Sequence, residues 1–247
     1  MPSISFRLSV ATCGPRHYFS RRMIRLVLFD IDGTLIRTGG AGEKAFARVA
    51  ALEFQAPNGT AHLNFAGRTD YSIVRDFFNH HRIDPTRENF ERFFHRYAFL
   101  LQDLLFQTQG RVLPGVHETI QALRALPEPP VIGLLTGNIR LGAEIKLRHY
   151  ELWDYFELGG FADDHEDRGQ IAVAARDRGS RQVGRRLHGD EILVVGDTPL
   201  DIACARVIGA RTLAVSTGIF RLDQLQQHQP TWALKSLEQA DLKTICA

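Results

Sequence analysis

Arg25-Leu26-Val27-Leu28-Phe29-Asp30-Ile31-Asp32-Gly33-Thr34-Leu35 is the stretch on which the fold turns. Four apolar residues, branched and aromatic, run into two carboxylates one residue apart and then a glycine. A run so short and so continuously apolar, closed by a turn residue, predicts a buried strand of a parallel sheet. Open α/β sheets place ligands at the carboxyl ends of such strands. In extended chain residues i and i+2 face the same side, so Asp30 and Asp32 address one small site. Two carboxylates held together repel, and a shared proton or a bound cation resolves the repulsion. Oxygen-only donors suit magnesium, which takes few carboxylates and completes its shell with water and phosphate oxygens. The plain alternative is a strand that ends in a solvated acidic turn.

Two further strand ends carry polar groups. Val131-Ile132-Gly133-Leu134-Leu135 runs into Thr136-Gly137-Asn138. A hydroxyl and the free amides of a loop, just ahead of a helix, can hold phosphoryl oxygens, or Thr136 or Asn138 simply caps that helix. Ile192-Leu193-Val194-Val195-Gly196 runs into Asp197-Thr198-Pro199-Leu200-Asp201. Pro199 suits a first helical turn, and Asp197 there is either a helix cap or a site carboxylate. Apolar runs at 213–215 and 232–234, the latter a short edge strand, continue the alternation of strand and helix expected of a doubly wound sheet.

Between the first strand and this alternation lies a block of helical spacing. Thr38 to Gly42 is expected to be a flexible connection. Ala45, Phe46, Val49 and Leu52 then share a face, and Pro57-Asn58-Gly59 breaks the pattern. Gly67-Arg68-Thr69-Asp70 leads into a second helix with Ile73, Val74, Phe77 and Phe78, and Asp84-Pro85-Thr86 opens a long third. Its stripe of Phe90, Phe93, Phe94, Tyr97, Leu101, Leu104 and Leu105 predicts the core of a small bundle rather than a cofactor box. His80, His81 and His95 match no standard metal spacing and are expected on the surface or in packing.

The sequence from Asp30 to Leu35 resembles the first motif of the haloacid dehalogenase-like hydrolase superfamily. Thr136 stands where its second motif has a phosphate-binding residue, and Gly196-Asp197 with Asp201 resembles its fourth. The resemblance implies an α/β, doubly wound, Rossmann-like parallel sheet with an inserted all-helical cap domain. Residues 23–38 and 113–247 would form the core and 39–112 the cap. It implies Asp30 as nucleophile and Asp32 as general acid/base. Mg2+ would lie on Asp30, Asp197 and the backbone carbonyl of Asp32. Thr136, Gly137 and Asn138 would take phosphate, and Asp201 would hold a metal-bound water or orient a cation. The third motif is one basic side chain, for which Arg168 is the candidate. Lys146 is the runner-up, with the look of a structural position inside a helix. Arg68, a lone basic residue between cap helices, is the candidate for the substrate's non-phosphate end. The implied activity is that of a phosphatase on a small phosphorylated metabolite, closest to the phosphoglycolate phosphatase-like subgroup. A phosphomutase of the same superfamily and a non-catalytic binding protein on this fold are the rival readings. A dehalogenase has no use for the full acidic set.

Composition narrows the classes further. Of 247 residues 44% are hydrophobic and 23% charged, ordinary for a globular chain. No apolar run approaches a membrane span. Cys13, Cys204 and Cys246 are odd in number and scattered, which argues against a disulfide framework and for a reducing, cytoplasmic setting. Residues 1–22 carry four arginines and no acid, so the remainder has a net charge of −2 and no electrostatic footprint for nucleic acid. That first segment has the composition of a transit peptide. An upstream extension, poorly ordered and ahead of a start at Met23, is the expectation preferred. Neither a nucleic acid nor a membrane partner is expected, and the chain is expected as a monomer or homodimer.

Overall fold

A computed structural model describes residues 23–247. The expectations for residues 1–22 lie outside the described residues. Six parallel strands form the sheet: β1 (Leu26–Phe29), β4 (Val131–Leu135), β5 (Leu158–Gly160), β6 (Ile192–Gly196), β7 (Arg211–Val215) and β8 (Trp232–Leu234). Their order is β5-β4-β1-β6-β7-β8. The chain steps from β1 outward to β4 and β5, then returns to the other side of β1 for β6, β7 and β8. The order therefore reverses at β1, where α/β sheets open a crevice.

Register decides what meets there. Phe29 pairs with Leu134 on one side and with Val195 on the other. The residues just beyond, Asp30, Thr136 and Asp197, thus leave the same edge of the sheet. Side chains of β1 alternate between faces as extended chain requires. Val27 and Phe29 join one hydrophobic cluster with Val116, Ile120 and Leu123 of α4 (Val116–Arg124), Leu147 of α5 (Arg140–His149), and Leu242 and Ile245 of α9 (Leu242–Ile245). Leu26 and Leu28 join another with Ile171, Ala172 and Ala175 of α6 (Arg168–Val183) and with Cys204 and Ala205 of α7 (Pro199–Val207). Helices cover both faces, with α8 (Leu222–Gln227) between β7 and β8.

The helical insertion holds α1 (Ala41–Phe54), α2 (Asp70–His81) and α3 (Arg87–Gln107). It is entered and left through a two-stranded antiparallel ribbon, β2 (Ile36–Arg37) with β3 (Arg111–Val112). Thr69 and Thr86 cap α2 and α3, each hydroxyl accepting from the backbone N–H three residues on. The aromatic stripe is core: Phe46, Phe77, Phe78, Phe93 and Tyr97 are buried in one cluster, which also takes in Ile139 and Ala162 of the α/β part. No helix among the described residues is long and apolar enough to cross a membrane.

Several expectations are corrected. Thr38 to Gly42 is not all connection, because α1 starts at Ala41 behind a left-handed Gly40. Leu52 is 63% exposed. Phe54 fills that end of the cluster instead, through ring contacts with Phe77, Phe78 and Phe93. The strand β5, only three residues long, and the ribbon β2–β3 were not expected from the sequence.

Candidate active site

Asp30 follows β1 directly and is buried. A guanidinium nitrogen of Arg168, Nη2, donates to Asp30 Oδ1 at 2.9 Å and also to Asp201 Oδ1. Arg168 opens α6, while Asp201 lies in the first turn of α7. Asp201 is fixed further, since its Oδ2 accepts from the Thr198 N–H at 2.9 Å and from the Thr198 hydroxyl at 2.8 Å. Thr198, not Asp197, is thus the N-cap of α7. Asp197 is left to the site, where its Oδ1 accepts from Thr34 Oγ1 at 3.0 Å. One carboxylate oxygen each from Asp30, Asp197 and Asp201 lie within 4.8 Å of one another.

Two glycines make room for Asp197. A Cβ on Gly33, whose φ is +89°, would come 2.4 Å from Asp197 Oδ2, and one on Gly218 would come 1.6 Å from it. The Thr217 hydroxyl braces this wall by donating to the Gly33 carbonyl at 2.6 Å.

Electrostatics follow from packing three acids around one guanidinium. Burial pushes the Asp30 carboxyl up to about 7, with Arg168 opposing and Asp201 and Asp32 adding to the rise. Asp197 is raised well above the carboxylate range by burial and then by Asp30 and Asp201. The surplus negative charge and the oxygen-only donors fit a hard divalent cation such as Mg2+.

Asp32 faces differently. Its side chain is 42% exposed, against 7% for Asp30. Asp32 Oδ2 accepts from Lys146 Nζ at 2.6 Å and from Asn138 Nδ2 at 2.9 Å, and Lys146 also donates to Asn138 Oδ1 at 2.6 Å. The Asp32 carboxylate is therefore outside the cluster of the other three. Lys146, the runner-up to Arg168 with the look of a structural mid-helix position, sits on the buried face of α5 and delivers its ammonium to Asp32, while Arg168 meets Asp30. The Thr136 hydroxyl accepts from the Asn138 N–H at 3.2 Å and from its Nδ2 at 2.8 Å. Neither Thr136 nor Asn138 caps α5, whose N-cap residue is Ile139.

That helix start is held from across the cavity by a residue the sequence did not single out. Asp70 accepts from the Ile139 N–H at 2.8 Å, while the Asp70 N–H donates to the Gly137 carbonyl at 2.7 Å. The same segment of the insertion meets Arg168, whose Nη1 donates to the Gly67 carbonyl at 3.0 Å, and Glu166, whose carbonyl accepts from the Thr69 hydroxyl at 2.8 Å. A cavity of about 990 Å3 lies between the two parts, lined by Asp30, Asp32, Thr136, Lys146, Arg168 and Asp197 on one side. Arg68 is on its wall, but the guanidinium is occupied by Asp76 Oδ2 at 2.6 Å and the Ser72 carbonyl at 3.1 Å.

Comparison with known proteins gives the family and the fold. The family model described as haloacid dehalogenase-like hydrolase matches residues 27–215. A protein named probable phosphatase IndB from Dickeya dadantii is 26% identical over 214 residues, covering 83% of this chain and 86% of that protein. A phosphoglycolate phosphatase from Rhodobacter capsulatus is 29% identical over 189 residues, covering 76% and 82%. Among solved structures, a hydrolase of family IA, variant 3, from Entamoeba histolytica superposes with a TM-score of 0.68 at 17% identity, over 90% of this chain and 98% of that one. This chain belongs to the haloacid dehalogenase-like hydrolase family.

Proposed function

We propose that the chain is a Mg2+-dependent phosphatase that transfers the phosphoryl group of a small phosphate monoester to Asp30 and then hydrolyses the aspartyl phosphate. The names of the two relatives support the phosphatase class. The observation that carries the reading is the meeting of the Asp30, Asp197 and Asp201 carboxylates with Arg168 at one end of adjacent parallel strands.

A carboxylate is a competent nucleophile toward phosphorus, provided the repulsion between it and the phosphate is cancelled. Asp30, Asp197 and the backbone carbonyl of Asp32 would hold Mg2+, which when bound neutralises charge on the nucleophile and the phosphoryl oxygens. Arg168 adds a fixed positive charge. Its Nε is the one buried side-chain nitrogen or oxygen without a hydrogen-bond partner among the described residues, a donor available to a phosphoryl oxygen. The Thr136 hydroxyl and the amides of Gly137 and Asn138 would hold the remaining oxygens.

Asp30 Oδ attacks phosphorus while the bond to the leaving oxygen breaks, and Asp32 donates the proton that oxygen needs. Lys146 and Asn138 grip Asp32 Oδ2 and so fix the orientation of the acid, with Oδ1 left to carry the proton. Asp32 then accepts a proton from the water that attacks the acyl phosphate, which returns Asp30. Arg68 is the candidate for the substrate's far end, a role in which substrate competes with Asp76 for the guanidinium.

Turnover of para-nitrophenyl phosphate with Mg2+ tests this reading. Activity should vanish in Asp30→Asn and on chelation of the metal. Undiminished turnover in either condition would refute it.

A further inference from the structure

Away from the cavity's acidic end, the described residues bring together a second group of metal-capable side chains: His62, His80 and His81. We propose that these three histidines form a transition-metal site on the insertion, taking a borderline divalent ion such as Zn2+ through imidazole nitrogens. His80 and His81 end α2, and His62 reaches them from the loop between α1 and α2. The sequence shows only an adjacent pair, too close along a helix to be read as a ligand set. The loop supplies the third ring.

One nitrogen from each ring lies within 4.8 Å of the other two. Tetrahedral zinc with bonds of about 2.0–2.1 Å holds its nitrogens roughly 3.4 Å apart. His62 and His80 are exposed, so rotation about their side-chain bonds closes the difference. The His62 and His80 rings stack with centroids 3.8 Å apart and planes 24° from parallel, so one of them must turn to aim its nitrogen at a shared ion; the centroids are 4.9 Å apart for His80 and His81 and 6.0 Å for His62 and His81.

A separate observation concerns His81. Its Nε2 lies 3.2 Å from the Gly59 carbonyl oxygen. A carbonyl only accepts, so Nε2 carries the proton and Nδ1 keeps its lone pair. A ring N–H fixed on a backbone carbonyl is the usual support behind a metal-bound histidine. No carboxylate belongs to the group, which favours a borderline ion over Mg2+ or Ca2+. Ala61 and Leu63, on either side of His62, line the substrate cavity. An ion bound here pins that stretch of wall to the end of α2.

Zinc binding by untagged full-length protein in excess Mg2+, measured by competition with a chromophoric chelator, tests the proposal. His62→Ala and His80→Ala should each weaken zinc binding by about tenfold or more. His95→Ala, an exposed histidine of α3, should bind as the wild type does. The double variant His62→Gln, His80→Gln keeps polar side chains of similar size and should lose the same ion. Equal zinc affinity and stoichiometry in the wild type and this double variant would overturn the proposal. So would a loss seen only in the alanine variants. The readout is the ion itself, so it is independent of phosphatase activity.

Discussion

Lys146 Nζ lies 2.6 Å from Asp32 Oδ2, which joins the buried face of α5 to the loop that follows β1. Both partners sit at the cavity, and Asn138 completes the triangle. Lys146→Met should therefore leave the fold intact and lower kcat by about a hundredfold, the scale of an oriented general acid. Steady-state kinetics beside a circular dichroism spectrum checks this. An unchanged kcat in a folded variant would remove Lys146 from the reaction.

Arg168 is enclosed with two acids, and its loss leaves both without their cation. Breaking a buried pair by removing one partner costs about 3–5 kcal/mol. Urea unfolding in the presence of a chelator should show a loss of that order for Arg168→Ala, and Arg168→Lys should recover part of it.

Gly218 offers a test of Asp197 without touching a carboxylate. A methyl group there would overlap Asp197 Oδ2 and force the carboxylate aside. Gly218→Ala should raise the Mg2+ concentration needed for half-maximal activity while circular dichroism stays native. If the metal dependence is unaltered, Asp197 is not a ligand.

Asp70 ties the insertion to the start of α5 and is buried, which pushes its carboxyl from 3.8 to about 7, against the pull of Lys146 and the Ile139 N–H. The folded chain therefore keeps a proton that the unfolded chain has released between those two values. Stability from this group is present in full below the lower value, falls as pH rises, and levels off above about 7. Asp70→Asn retains an acceptor for the Ile139 N–H and has no proton to lose. Between pH 5 and 7 the wild type should lose up to about 1.4 kcal/mol per pH unit relative to the variant. Parallel urea titrations that track each other across this range would contradict the protonation of Asp70.

Three of the site residues legible in the sequence follow an apolar strand, while Arg168 and Asp201, both at helix starts, were reached through the family resemblance. Asp30, Thr136 and Asp197 could be placed together because parallel strands release their next residues at a common edge. Lys146 and Asp70 were not legible in this way. Each depends on which face of a helix meets a loop from a distant part of the chain. A lysine at mid-helix carries no local mark of burial, and Asp70 reads as an ordinary first-turn acid. The strand β5 escaped because Leu158-Gly159-Gly160 lacks the β-branched and aromatic residues that mark a strand, and β2 and β3 because two residues make no pattern. The doubly wound sheet with its helical insertion was readable, since alternation of runs survives errors of one or two residues. The membership of the hydrolase family follows the same residues.

The central claim is that Asp30 itself carries the phosphoryl group during turnover. Acid quenching of the full-length protein mixed with a radiolabelled phosphate monoester and Mg2+, followed by peptide mapping, examines it most directly. Label should appear on the peptide containing Asp30, be released by base as an acyl phosphate is, and be absent from Asp30→Asn. Turnover with no labelled protein, or label on a different residue, would contradict the claim.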